Sequence, residues 1–554
     1  MDNATDMRHA ETPAPGAGRW AALAAAYFLA ILAAYGRIGE FPWLLDDTFH
    51  FAANPTVRSW RGLGAVWAAS YWEGLGPDGL YRPLLKTLWI GEIAGLGGGR
   101  WAVLLVSVAL HALNAVLVAA LALKSGAPFL FAAPGGLWFA LHAANAEAIA
   151  FGVGQGEIAS LTLALGALLL ALPPMDKPLA AWRIAACVAL TLANCFVKEH
   201  AYAAGAVCAT ALAANAAIPA RRRLAAASAI AAALLAAVAL HIAAAESFGP
   251  QGDWRLGSEA GFSLARSCAL LGRYIALAAA PIRLNVDYSW MENAGWGSWS
   301  DPMAWLGLAA GAALALGGLW AWKRGRIAVL ALIAQSILPL GLFLGIRPIG
   351  AIFAERFAYH ALAGQAALLA WIAAKATERR PQRQEARQPW RGARFGAAAA
   401  LTAYALALGA VAWARAGDFR SGLALWQAAW ASEPRNYMAP ANIAYYRMTL
   451  GRFAEARQAA EASLDLRPGF ADALMTLGEL DIIAGHPSDA LQRFEPLADH
   501  PRHGFRARIG SAIALARLGR NEEARALAVQ LSSERPGAPE LSRLNAEIES
   551  NLAQ

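Results

Sequence analysis

WAVLLVSVALHALNAVLVAALALK, residues 101–124, holds no ionisable side chain except His111 before it ends at Lys124. As a helix rising about 1.5 Å per residue it is long enough to cross the roughly 30 Å hydrocarbon core of a bilayer. Similar runs lie on both sides of it. Residues 19–36, 100–123, 128–143, 157–172, 180–197, 201–217, 224–245, 302–321, 326–345, 361–376 and 395–414 all read as membrane helices. The fold class expected is therefore all-α: a polytopic domain of about eleven crossings over 19–414, preceded by a cytoplasmic tail, 1–18. Composition agrees, since 58% of the 554 residues are hydrophobic and only 16% charged. After about Arg415 the long apolar runs stop and ordinary amphipathic patterns take over.

The net charge of +8 does not indicate a nucleic-acid partner. Its basic residues cluster in short loops: Lys124, Lys177 with Arg183, Arg221–Arg223, Lys323–Arg326 and Arg379–Arg394. That pattern places those loops in the cytoplasm and residues 415–554 outside it. Two further apolar segments, 81–97 and 263–281, are treated as interfacial or re-entrant so that this alternation holds. Cys187, Cys195, Cys208 and Cys268 all lie in apolar stretches without CxxC spacing and read as buried small hydrophobes. The polar N-terminus lacks a signal-peptide core, so the first apolar helix is expected to remain as an anchor.

Two outward loops, 37–80 and 282–301, are rich in aromatic residues and are expected along the outer membrane surface. Ionisable residues also gather on that side: Asp46 and Asp47, Arg82, then His142 with Glu147 and Glu157. Lys198, Glu199 and His200 follow, then Glu355 and Arg356. Each costs about 2.5–3.5 kcal/mol at a bilayer centre, so their placement at one depth asks for a function. A carboxylate can take a hydroxyl proton or ligate a divalent cation, and Arg82, Lys198 and Arg356 can grip a phosphate. Together they suit group transfer from a lipid phosphate. No third acidic ligand stands near Asp46 and Asp47, so metal ligands stay unassigned.

The C-terminal part repeats. Gly417, Gly451, Gly485 and Gly519 are spaced by 34, as are Ala456, Ala490 and Ala524, and Pro434 and Pro468. A glycine can end one helix in the left-handed region, and a proline blocks the next from continuing. With LGRFAEA (450–456), LGRNEEA (518–524) and Leu477-Gly478, this resembles the tetratricopeptide repeat over about 417–536. An α-solenoid spanning 415–554 is expected, one that takes an extended peptide or protein partner.

DDTFHFAANPTV (46–57), YRPL (81–84), HALNAVL (111–117), ALHAANAEAIAFGVGQGE (140–157), KEH (198–200), PIRLNVDYS (281–289) and AERFAYH (354–360) follow one another in an order that resembles one family. It is the transmembrane-and-tetratricopeptide O-mannosyltransferase family with its bacterial relatives, C-type glycosyltransferases that use polyprenyl-phosphate sugars. The resemblance implies Asp46 as the base for the acceptor and Asp47 as an orienting group. It also implies inverting displacement, with Arg82, Lys198 and Arg356 on the leaving phosphate. Glu199 and Glu355 would orient those cations, and His142 and Glu147 would support the site. The chain departs from the pattern at Ala143, where the family has proline, and at Gln155, where it often has arginine. The expected partners are a polyprenyl-phosphate-linked sugar, an acceptor protein held by the repeats, and the lipid bilayer. A divalent cation is the one cofactor considered. High alanine and arginine usage points to a bacterial inner membrane, with the repeats in the periplasm. Two other readings stay open: a non-catalytic scaffold recruiting partners through its repeats, and an O-antigen-type ligase or polymerase.

Overall fold

The computed structural model describes residues 15–72, 80–172, 180–215, 218–247, 263–293, 296–345, 351–378 and 389–552. Lys177 and residues 379–388 of the expected basic loops lie outside them. All regular structure among the described residues is helical. Seven helices are long and apolar enough to cross a membrane: Ala17–Glu40, Arg100–Lys124, Gly152–Ala171, Ala220–Ala244, Pro302–Lys323, Glu355–Ala376 and Gly392–Arg420. Four other expected spans are shorter helices: Phe129–Leu141, Ala181–Cys195, His200–Ala214 and Ile327–Phe343.

The shortness has local causes. The helix from Phe129 stops at His142, whose extended backbone breaks the hydrogen-bond ladder. Another stops before Lys198, and Ile327–Ile337 passes into a 3-10 turn over Leu338–Phe343. A helix of 13 residues is only about 20 Å long. Each break exposes unpaired backbone groups and invites polar side chains to the helix ends. Of the segments read as interfacial or re-entrant, 81–97 forms the helix Pro83–Ile90 and one π turn, Gly91–Gly95, while 263–281 holds the helix Leu264–Ala279.

Burial sorts the long helices. Over half of the apolar window is buried in Arg100–Lys124 (56%), Gly152–Ala171 (61%) and Glu355–Ala376 (67%), so these three form the centre. Ala220–Ala244 and Pro302–Lys323 bury only 17% and present Leu224, Leu235, Leu240, Leu306 and Leu316 outward. Small residues set the close crossings. A Cβ at Gly136 would overlap the Tyr27 hydroxyl. One at Gly307 would overlap the carbonyl of Cys268, and one at Gly272 that of Met303. Such small-residue contacts are how helices associate where lipid supplies no hydrophobic contrast.

The chain divides into two compact units, and the second comprises Asn285–Trp290 with Ser421–Gln554. Within it, antiparallel helices alternate: Met438–Thr449, Phe453–Leu466, Ala471–Ala484, Pro487–Phe494, Gly504–Arg517 and Asn521–Glu534. Gly451, Gly485 and Gly519, spaced by 34, take φ of 72°, 80° and 76° where helices end. Gly417 does not, lying in a 3-10 turn. Phe494 is buried against Gly478 on one side and Gly510 on the other. Asn285–Trp290, part of the loop 282–301 expected along the outer membrane surface, groups with this unit. The Asn285 amide donates to Ala429 O and Ser432 Oγ, both at 2.9 Å.

Two outcomes follow from this packing. Gly307→Leu forces the Leu264–Ala279 and Pro302–Lys323 helices apart at an overpacking cost of about 1–3 kcal/mol. A lower unfolding temperature of the detergent-solubilised protein reports it, and an unchanged one shows that the helices do not meet there. Phe494→Ala removes the ring that fills the space between two hairpins and costs about 3–5 kcal/mol. Limited proteolysis should then cut within 421–554 sooner than in the wild type.

Candidate functional site

The first loop holds the two adjacent acids in very different surroundings. Leu45, just before them, is the only non-glycine residue with positive φ among those described, at 49°. Such a conformation costs roughly 1–3 kcal/mol and persists only where neighbours impose it. Asp47 shows what imposes it. Its Oδ2 accepts from Arg100 Nη1 at 2.8 Å and from the Gly152 amide at 2.8 Å, and its Oδ1 accepts from the Val153 amide at 2.9 Å. Arg100 also donates to Ala150 O and lies 4.7 Å from the Trp43 ring centroid. Burial pushes the Asp47 carboxyl up, while Arg100 and the two amides pull it back. Both Asp47 oxygens are thus committed to holding the loop.

Asp46 remains exposed. Crowding by the surrounding protein still raises its carboxyl above the usual range. Arg356, Lys198 and Arg82 oppose that shift, and Glu147 adds to it. These four residues come from three separate helix breaks and the start of Pro83–Ile90, so the structure brings them around the open acid of the pair.

Each cation has an acidic partner. Arg82 grips Glu199 with two donors, Nε at 3.0 Å and Nη2 at 2.7 Å, and its guanidinium lies 4.5 Å from the Tyr71 ring centroid. Burial raises the Glu199 carboxyl, but Arg82 and Lys198 outweigh it and bring it down to about 2. Lys198 Nζ is 2.7 Å from Glu157 Oε1. Burial lowers the Lys198 ammonium, and Glu157 works against that shift. Arg356 pairs with Glu147 through its guanidinium, and its backbone amide donates to Glu147 Oε2 at 3.0 Å. The Arg356 side chain stays one-third exposed, so its fork has donors open to a ligand.

Other expected site residues lie elsewhere. Glu355 pairs with Arg415 at 3.5 Å. His142 is a helix-end cap: Nδ1 accepts from the Ala144 amide at 3.3 Å, and Nε2 lies 3.1 Å from Ala278 O. Arg100, Tyr71 and Glu92 are the residues sequence reasoning missed here. Arg100 is the first residue of the span expected at 100–123. Glu92 is buried, which raises its carboxyl to about 8, and Gln155 Nε2 donates to its Oε1 at 2.8 Å. Gln155 also donates to Val103 O and Ser107 Oγ, so the amide at this position serves a buried neutral network.

In the second unit, Gln427, Trp430, Pro434, Ile443, Arg447 and Asp465 line a groove between helices. Its lining mixes apolar surface with one basic and one acidic side chain. No family model matches the chain, and no curated protein matches it.

Proposed function

We propose that this protein is a membrane glycosyltransferase that moves a sugar from a polyprenyl-phosphate donor to an acceptor hydroxyl on the extracytoplasmic side. The observation that carries the reading is the asymmetry of the first-loop acids. Asp47 is consumed by three donors, while Asp46 stays open among Arg82, Lys198 and Arg356. In the proposed reaction Asp46 takes the proton of the acceptor hydroxyl. The freed oxygen forms a bond to the anomeric carbon, and the bond from that carbon to the phosphate oxygen breaks. Its electron pair leaves with polyprenyl phosphate, so the configuration inverts in one displacement. The raised carboxyl makes Asp46 a stronger base than a free aspartate. Arg82, Lys198 and Arg356 stabilise the departing phosphate, and Glu147, Glu157 and Glu199 hold them in place.

The wider reading fits the same frame. Four shorter apolar helices added to the seven long ones complete the eleven-span bundle. The 34-residue hairpins act as a tetratricopeptide solenoid whose groove at Trp430 and Arg447 receives the acceptor peptide. With the basic loops read as cytoplasmic and the alanine- and arginine-rich composition read as bacterial, the reading has that solenoid in a periplasm.

Transfer in reconstituted membranes with radiolabelled polyprenyl-phosphate sugars tests the reading. Asp46→Asn should lower transfer about 10²–10⁴-fold, the usual contribution of a general base, while expression and membrane insertion hold. Full activity in that variant, or no transfer by wild type with any donor, overturns the reading. The pH profile supplies a separate check. Asp46 must be ionised to act, so transfer should fall as pH drops through an apparent pKa above the ordinary aspartate value of about 3.9. Arg356→Gln removes the largest charge holding that carboxyl down, so the acid limb should move to higher pH. A shift to lower pH would exclude Asp46 as the titrating base.

A further inference from the structure

Behind the Arg82 and Lys198 pairs, three helix starts converge on one buried point. Glu157 is in the first turn of Gln155–Ala171, His200 opens His200–Ala214, and His360 is the second residue of Tyr359–Ala376. All three side chains are fully buried. Their ligand atoms lie within 4.8 Å of one another. His200 Nδ1 is 3.1 Å from Glu157 Oε2, and the two imidazoles face each other at 4.4 Å and 21°.

The polar atoms here are poorly served. The ring nitrogens of His200 and His360 meet no well-aligned hydrogen-bond partner, only the backbone of Phe357 and of Glu157 nearby, while Glu157 Oε1 faces Lys198 Nζ at 2.7 Å. Buried polar groups are nearly always hydrogen-bonded, so poorly aligned imidazole nitrogens gathered in one cluster leave room for a ligand. Two imidazoles and a carboxylate are what a borderline divalent cation takes. In a tetrahedral site with bonds of about 2.0–2.1 Å, donor atoms stand roughly 3.3 Å apart. The His200–Glu157 separation already fits, and a His360 ligand atom lies within 4.8 Å of one on each of the other two.

We propose that Glu157, His200 and His360 form a divalent transition-metal site of the zinc type. The ion ties together the starts of three helices, and its fourth position stays open. Lys198 is its built-in competitor, because the same Glu157 carboxylate neutralises its ammonium. The ion would take Glu157 Oε2, on the His200 side, and the Lys198 charge on Oε1 weakens its binding. The site does not depend on the transferase reading and survives if that reading fails.

Metal content of the untagged full-length protein, loaded with zinc in detergent and desalted, tests this directly. One zinc per chain is expected in the wild type, with loss in His360→Ala and in the His200→Ala/His360→Ala pair. Lys198→Met should bind zinc about tenfold or more tightly, which a merely structural histidine pair would not produce. Gel filtration and unfolding temperature show whether the variants fold. If the histidine variants do not, cobalt loading of the wild type decides: visible ligand-field bands of a tetrahedral N,N,O site support the proposal. Wild type without stoichiometric zinc or those bands overturns it, as does zinc that persists in a folded His360→Ala protein.

Discussion

The Asp47 carboxylate is the joint on which the first loop turns. One charged donor and two backbone amides converge on it from 53, 105 and 106 residues away along the chain. Removing one partner of such a buried pair typically costs about 3–5 kcal/mol, because the other charge is left uncompensated. That is enough to offset the left-handed backbone at Leu45. A carboxylate with both oxygens committed is a poor base and a poor metal ligand, and in this Asp47 differs from Asp46.

Helix length is the second constraint. An uninterrupted apolar helix satisfies its own backbone and has nowhere to put a charge. The helices that stop at Leu141 and Cys195, and those that start at His200 and Tyr359, leave end groups that polar residues can use. Glu147, Glu157, Lys198, Glu199 and Arg356 all sit at or beside such breaks. The bundle therefore collects charge at its helix ends.

Much of this was readable in the chain. Apolar runs located the helices because their length and composition follow from the bilayer, and the 34-residue spacing of Gly451, Gly485 and Gly519 marked real left-handed helix ends. The grouping of Asp46 with Arg82, Lys198 and Arg356 was also visible, as a set of charges at one depth. What could not be read is pairing. Nothing local distinguishes Asp46 from Asp47, since the partners that separate them are distant. Glu355 sits beside Arg356 in sequence, yet the helical turn sends it to Arg415. The spans expected at 128–143, 180–197, 201–217 and 326–345 end within three residues of the observed helices, and what hydropathy does not show is the change to 3-10 geometry after Ile337. Asn285–Trp290 has an aromatic, interfacial composition, but the Asn285 amide ties it to Ala429 and Ser432.

Charge accounting around Asp46 shows why the arrangement suits the proposed displacement. Arg82, Lys198 and Arg356 are each matched by a glutamate, and Asp46 stands outside those three pairs. A polyprenyl-phosphate sugar is a phosphodiester and brings one negative charge. When Asp46 takes the acceptor proton it becomes neutral, and the departing polyprenyl phosphate carries two. The total does not change; one charge moves from the carboxylate to the phosphate. In surroundings of low dielectric, moving a charge between sites that share the same cations costs far less than creating one. The glutamates keep those cations fixed before the donor arrives, so little reorganisation is left for the reaction itself.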